Sequence, residues 1–140
     1  MTWDEYYDAY RNAFDNRERA RAYEILEEAR KLVSDRAQRA WLHQALEDTE
    51  RRWFVASVFA TQPVPKALRE PMLRAALTAP VDASAVQSFI IPLAETFGPE
   101  DILGRLKAAK QADPQMAIPV DKASYWVGWI KKSRKPVTGK

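Results

Sequence analysis

Leu46-Glu47-Asp48-Thr49-Glu50-Arg51-Arg52-Trp53 is the stretch on which the fold turns: an apolar helix end, a short polar turn that can cap, and a second helix opening on a large apolar side chain. The same step recurs at Leu77-Thr78-Ala79-Pro80-Val81-Asp82 and at Ala109-Lys110-Gln111-Ala112-Asp113-Pro114. Leu46, Leu77 and Ala109 lie 31 and then 32 residues apart, within the period range of stacked helical repeats. Such architectures hold other macromolecules. Nothing in the repeat itself names the one held.

Outward from that stretch, periodicity divides the chain into amphipathic segments. Thr2 with Glu5 has the form of a capping box, and Trp3, Tyr6, Tyr7, Tyr10 and Phe14 follow on one helical face. Asn16 is expected to cap a second helix, with Ala22, Leu26, Ala29 and Val33 as its apolar stripe. Asp35 and Gln38 lead into Trp41, Leu42, Ala45 and Leu46. Spacing alone permits one unbroken helix over 35–60, but Asp48 and Thr49 are good N-cap residues, which favours two. Trp53 through Ala60 is apolar on all sides except at Ser57, the pattern of a helix buried between neighbours. Trp53 is expected in the core where the helix pair over 35–60 meets the pair over 65–97.

Further along, Pro63 and Pro65 separate that helix from one over 65–78, because each proline lacks an amide donor and disfavours the α region before it. Asp82 is expected to cap a helix reaching Phe97, and Gly98-Pro99 supplies a stop followed by a start. Asp113-Pro114 opens a loop to Pro119, and Asp121 is expected to cap the last helix, with Ala123, Trp126, Val127 and Ile130 inward. Pro71 and Pro92 fall inside two of these helices, where they would introduce kinks. The expected fold class is all-α, with about eight helices and no sheet. A basic segment, 134–140, is expected to be disordered beyond the domain over 1–133.

Three consecutive helix pairs, 35–46 with 49–60, 65–78 with 82–97 and 99–111 with 121–133, resemble HEAT-type repeats. The resemblance is carried by Leu46, Asp48, Arg52 and the Trp53-Phe54-Val55-Ala56 run, then by Leu68, Pro71, Leu77 and Phe89-Ile90-Ile91. Leu103, Leu106 and Ala123-Ser124-Tyr125-Trp126 carry it in the third pair. It implies a right-handed α-α superhelix over 35–133, preceded by a helix pair over 1–33, with a concave face of second helices that binds a partner. It implies no catalytic residue.

Composition narrows the chemistry. There is no cysteine, which excludes thiolate zinc sites, disulfides and cysteine nucleophiles, and suits a cytoplasmic protein. The single histidine, His43, has no metal-ligand spacing around it. The four glycines make no phosphate-cradling loop, and the acidic clusters fall mostly in first turns of helices, where they complement the helix dipole. No cofactor, metal or catalytic set is expected. The net charge of +3 is uneven: residues 1–70 hold 12 Lys+Arg against 13 Asp+Glu, residues 71–140 hold 10 against 6, and no acid follows Asp121.

The leading expectation is therefore a non-enzymatic adaptor that recognises another protein, with Arg52, Tyr125, Trp129, Lys131 and Lys132 as its contacts. Aromatic anchors beside cations are what protein hot spots use. The alternative is a nucleic-acid-binding module, with Arg51, Arg52, Lys107, Lys110, Lys131, Lys132, Arg134 and Lys135 on phosphates.

Overall fold

A computed structural model describes residues 1–78 and 83–133, with only the backbone given for 83–85. Among them there are eight α-helices and no strand. The helices are α1 (Trp3–Asp15), α2 (Arg19–Arg30), α3 (Arg39–Glu47) and α4 (Arg51–Val58), then α5 (Arg69–Thr78), α6 (Ala83–Phe97), α7 (Pro99–Ala112) and α8 (Ala117–Ser133). The chain divides into two compact units, Met1–Gln62 and Pro63–Lys140. The expected Asp82 cap, the Ala79-Pro80-Val81 turn and the 134–140 tail lie outside the described residues.

In the first unit α1 packs along α2, α3 along α4, and α2 against α4. The capping box forms: Thr2 Oγ1 accepts from the Glu5 amide, and the Thr2 amide donates to Glu5 Oε1 at 2.8 Å. The hydrogen bonds from Thr2, first through its backbone and then its side chain, hold the Glu5 carboxyl below its usual range. Asn16 does not cap α2. It ends α1, because Arg17 turns left-handed at φ 61° and the Glu18 amide donates back to the Ala13 carbonyl at 2.8 Å, with Arg17 to Phe14 at 3.1 Å. This is a Schellman ending with arginine where glycine is usual. Glu18, without a side-chain cap, precedes α2.

The fork at 35–60 resolves into two helices. Asp48 is extended, and its Oδ1 accepts from the Glu50 and Arg51 amides at 2.8 and 3.0 Å, the service an N-cap gives to amides that have no helical carbonyl. The same bonds, that from Arg51 first, hold the Asp48 carboxyl below the ordinary aspartate value. Replacing Asp48 by Ala is expected to cost about 1 kcal/mol near neutral pH. Because the folded pKa is the depressed one, the contribution is complete above the unfolded value near pH ~4 and is lost as pH falls through the lower folded value. Urea melts of both proteins at pH 7 and pH 3 check this, and the gap between them is expected to narrow at the acid pH.

Trp53 is half-buried, and its neighbour Phe54 is the central side chain, 1% exposed. The Phe54 ring meets Trp3, Tyr7, Tyr10 and Trp41 at centroid distances of 6.1, 5.6, 5.3 and 6.0 Å. Trp3 and Trp41 stack at 5.8 Å, so the first helices of the two pairs meet through aromatic rings. Arg30 of α2 reaches the end of α4: its Nε donates to the Val58 carbonyl and an Nη to the Ser57 carbonyl, both at 2.9 Å.

In the second unit α6 packs against α5, α7 and α8, and α8 also touches α5 and α7. Its buried side chains include Leu68, Met72, Phe89, Ile90, Leu93, Ile102, Leu106 and Val127. Arg69 and Arg105 both pair with Asp101, and Arg105 also pairs with Glu70, tying α5 to α7. The hydrogen bond to Asp101 leads the causes that raise the Arg105 pKa. Pro92 lies inside α6 as expected. Pro71 does not interrupt a helix, because α5 starts at Arg69 and places it in the first turn, where the missing amide has no helical acceptor to lose.

Candidate interaction face

The last helix starts earlier than its sequence suggests. Asp113 accepts from the Gln115 amide at 3.0 Å and opens a 3-10 turn over Pro114–Met116 that runs straight into α8 at Ala117. Pro119 then sits in the first turn, and Asp121 is not a cap; it pairs with Lys110 of α7 at 3.2 Å. The longer helix turns Val120, Ala123, Val127 and Ile130 into the unit's interior.

The opposite side of α8 is open. Ile118, Tyr125 and Trp129 are 65, 66 and 46% exposed, and their spacing of seven and four residues puts them on one stripe, together with Lys122 and Lys132. Trp126, half-buried at the edge of this stripe, meets Tyr125 edge-on at 5.2 Å and Trp129 at 6.1 Å. The two outer rings are thus braced by a third, which reduces the rotamer freedom that binding would otherwise remove. Among the described residues no ion pair involves Lys122 or Lys132, so the stripe is cationic as well as aromatic.

Of the expected partner contacts, Tyr125, Trp129 and Lys132 share this face. Lys131 instead turns to α7, pairing with Glu100 at 2.6 Å. Arg52 belongs to the other unit and is 7% exposed, its Nε donating to the Asp48 carbonyl at 3.2 Å. Its stem packs where an outward contact would need it free of the core. Ile118 and Lys122 were not among the expected residues. With Pro119 ending a loop, Ile118 has no helix to belong to, although counting back eleven and seven residues from Trp129 reaches both Ile118 and Lys122.

The phosphate-contact set is dispersed in its local roles. Arg51 pairs with Asp48 at 3.1 Å and lies over the Tyr7 ring at 5.1 Å. Lys110 and Lys131 are held by Asp121 and Glu100, whereas Lys107 is exposed on α7. Arg134 and Lys135 lie outside the described residues.

No protein-family model, curated protein or solved structure matches this chain. The displaced carboxyl groups, Glu5 and Asp48, owe their shifts to helix-start hydrogen bonds. Arg11 is raised chiefly by its bond to the Tyr7 hydroxyl and then by Glu50. Each shift has a structural cause, and His43 is half-buried on α3. Among the described residues no three His, Asp or Glu side chains gather as metal ligands, and no helix is long and apolar enough to cross a membrane.

Proposed function

We propose that this chain is a non-enzymatic interaction module that holds a protein partner through the outward face of α8. The observation that carries the reading is the braced, exposed Tyr125–Trp129 pair, extended by Ile118 and flanked by two lysines without acidic partners among the described residues. Large aromatic anchors with a polar rim are the usual source of binding energy at protein interfaces.

In this reading the helices are HEAT-like pairs in a right-handed superhelix, and α8, as the second helix of its pair, contributes to the concave side. Support comes from a layout that both units repeat. Second helices touch each other, α2 with α4 and α6 with α8. First helices are joined by side chains, Trp3 with Trp41 and Arg69 or Arg105 with Asp101.

The test compares immobilised wild-type protein with a Tyr125→Ala/Trp129→Ala variant of matched helicity, probed with extract of the native cell and with single-stranded oligonucleotides at 50 and 200 mM salt. Proteins retained by the wild type are expected to be lost from the variant. Identical retention by both would remove α8 as the site. Oligonucleotide binding that falls steeply with salt would move the reading to phosphate contacts.

A further inference from the structure

On the first unit, α1 and α2 leave an open groove of about 540 Å³ on the surface of their hairpin. Its floor is apolar, made by Tyr6, Ala9 and Ile25, the last within the small buried cluster that includes Ala13 and Ala22, and the exposed Met1 stands at its edge. Its rim is acidic, since Glu24, Glu27 and Glu28 outnumber Arg21. Glu27 is engaged by Arg30 and Glu28 by Lys31, while no ion pair among the described residues involves Glu24. Volume and lining suit one or two large side chains flanked by cations.

The chain itself carries that ligand. The outward face of α8 presents Ile118, Tyr125 and Trp129 with Lys122 and Lys132, an apolar stripe with a basic border, against an apolar floor with an acidic border. The charge split extends to the whole units: residues 1–62 hold 12 Asp+Glu and 10 Lys+Arg, residues 63–140 hold 7 and 12. We infer that copies of this chain associate head to tail, the α8 face of one seating in the α1–α2 groove of the next. This rests on the reading of α8 as a protein-docking face. The mode is a helix laid in a groove, with anchors spaced seven and four residues apart. Because the two surfaces differ, the contact is heterologous, so an associated pair retains one open groove on one copy and one open face on the other and can extend.

Sedimentation velocity from about 1 μM to 1 mM, at 50 and 500 mM salt, reads the association directly. The wild type is expected to grow in mass with concentration, and less so at high salt, because exposed charges are screened. Trp129→Ala is expected to raise the dissociation constant at least about thirtyfold, the scale of a hot-spot truncation. Two charge reversals, Lys122→Glu/Lys132→Glu and Glu24→Lys/Glu28→Lys, are each expected to remain monomeric. Mixed one to one they are expected to associate again, since face and groove are then complementary between partners. Circular dichroism confirms that each variant is folded before it is weighed. A wild type monomeric through 1 mM, association indifferent to either reversal, or a mixture that stays monomeric would overturn the inference. If the chain is monomeric and the Tyr125→Ala/Trp129→Ala variant still loses captured proteins, only the second copy is excluded and the docking face stands. If that variant loses nothing, the functional reading has failed as well.

Discussion

Replacing Phe54 by Ala is expected to destabilise the first unit by about 3–5 kcal/mol, the range for removing a buried aromatic ring. Phe54 is 1% exposed and sits among four other rings, meeting Trp3, Tyr7 and Trp41 nearly edge-on. Edge-to-face pairs contribute roughly 0.5–1.5 kcal/mol beyond the area they bury, so the loss belongs at the upper end of the range. The four rings come from α1 and α3, and none of them can collapse into the void without leaving another neighbour. Trp53→Ala is the control: adjacent in sequence but half-buried, it is expected to cost clearly less. Urea melts followed by tryptophan fluorescence give both numbers. A Phe54→Ala loss under about 1 kcal/mol would show that α1 is not seated on α3 and α4 through this ring.

Arg30→Ala is expected to cost about 2–3 kcal/mol. The side chain, 12% exposed, donates to the Ser57 and Val58 carbonyls, two acceptors at the C-terminal end of α4 that otherwise have only the backbone donors of the 3-10 turn over Phe59–Thr61. Hydrogen bonds from a charged donor contribute about 1.5–3 kcal/mol each. The backbone donors of the 3-10 turn remain and water reaches the acceptors, which keeps the total below the sum of two such bonds. A cation at a helix C-terminus is also favoured by the dipole. Arg30→Lys keeps the charge but not the planar fork, so it is expected to recover less than half of the loss. Full recovery by Lys, measured in the same melts, would mean that charge alone matters and the two-carbonyl geometry does not.

The parts of this architecture that sequence announces are those with a local cause. Asp48 stands between two apolar segments with two free amides just downstream, so the break in 35–60 follows from capping chemistry within three residues. The run over 53–60 is apolar except at Ser57, and from Arg51 to Phe59 every residue is buried or half-buried, the exposed positions beginning at Ala60. The same property hides the orientation: when every face is apolar, periodicity cannot decide between Trp53 and Phe54, and only the position of α1 does. Asn16 is equally ambiguous, since it is favoured both before a helix and after one, and no glycine at 17 marks the end of α1. Proline at 119 reads as a loop signal until the turn opened by Asp113 makes it a first-turn residue. The face of α8 is therefore partly legible: Tyr125, Trp129 and Lys132 from composition and spacing, Lys122 from the same spacing although outside the expected set, and Ile118 only with the helix beginning at Ala117. The α1–α2 groove was not legible, because it depends on how two helices pack rather than on either one.

The clasp of Trp3 and Tyr7 of α1 on Phe54 also sets a clock. During synthesis α1 leaves the ribosome 51 residues ahead of Phe54, a lag of about 3–10 s at roughly 5–20 residues per second. Hairpin contacts between α1 and α2 can form early in that interval, but the indole of Trp3 finds Trp41 only once α3 emerges and Phe54 only once α4 does. For those seconds the nascent chain displays an aromatic stripe to the cell, and the rate at which ribosomes traverse codons 31–54 governs how long other proteins can reach it.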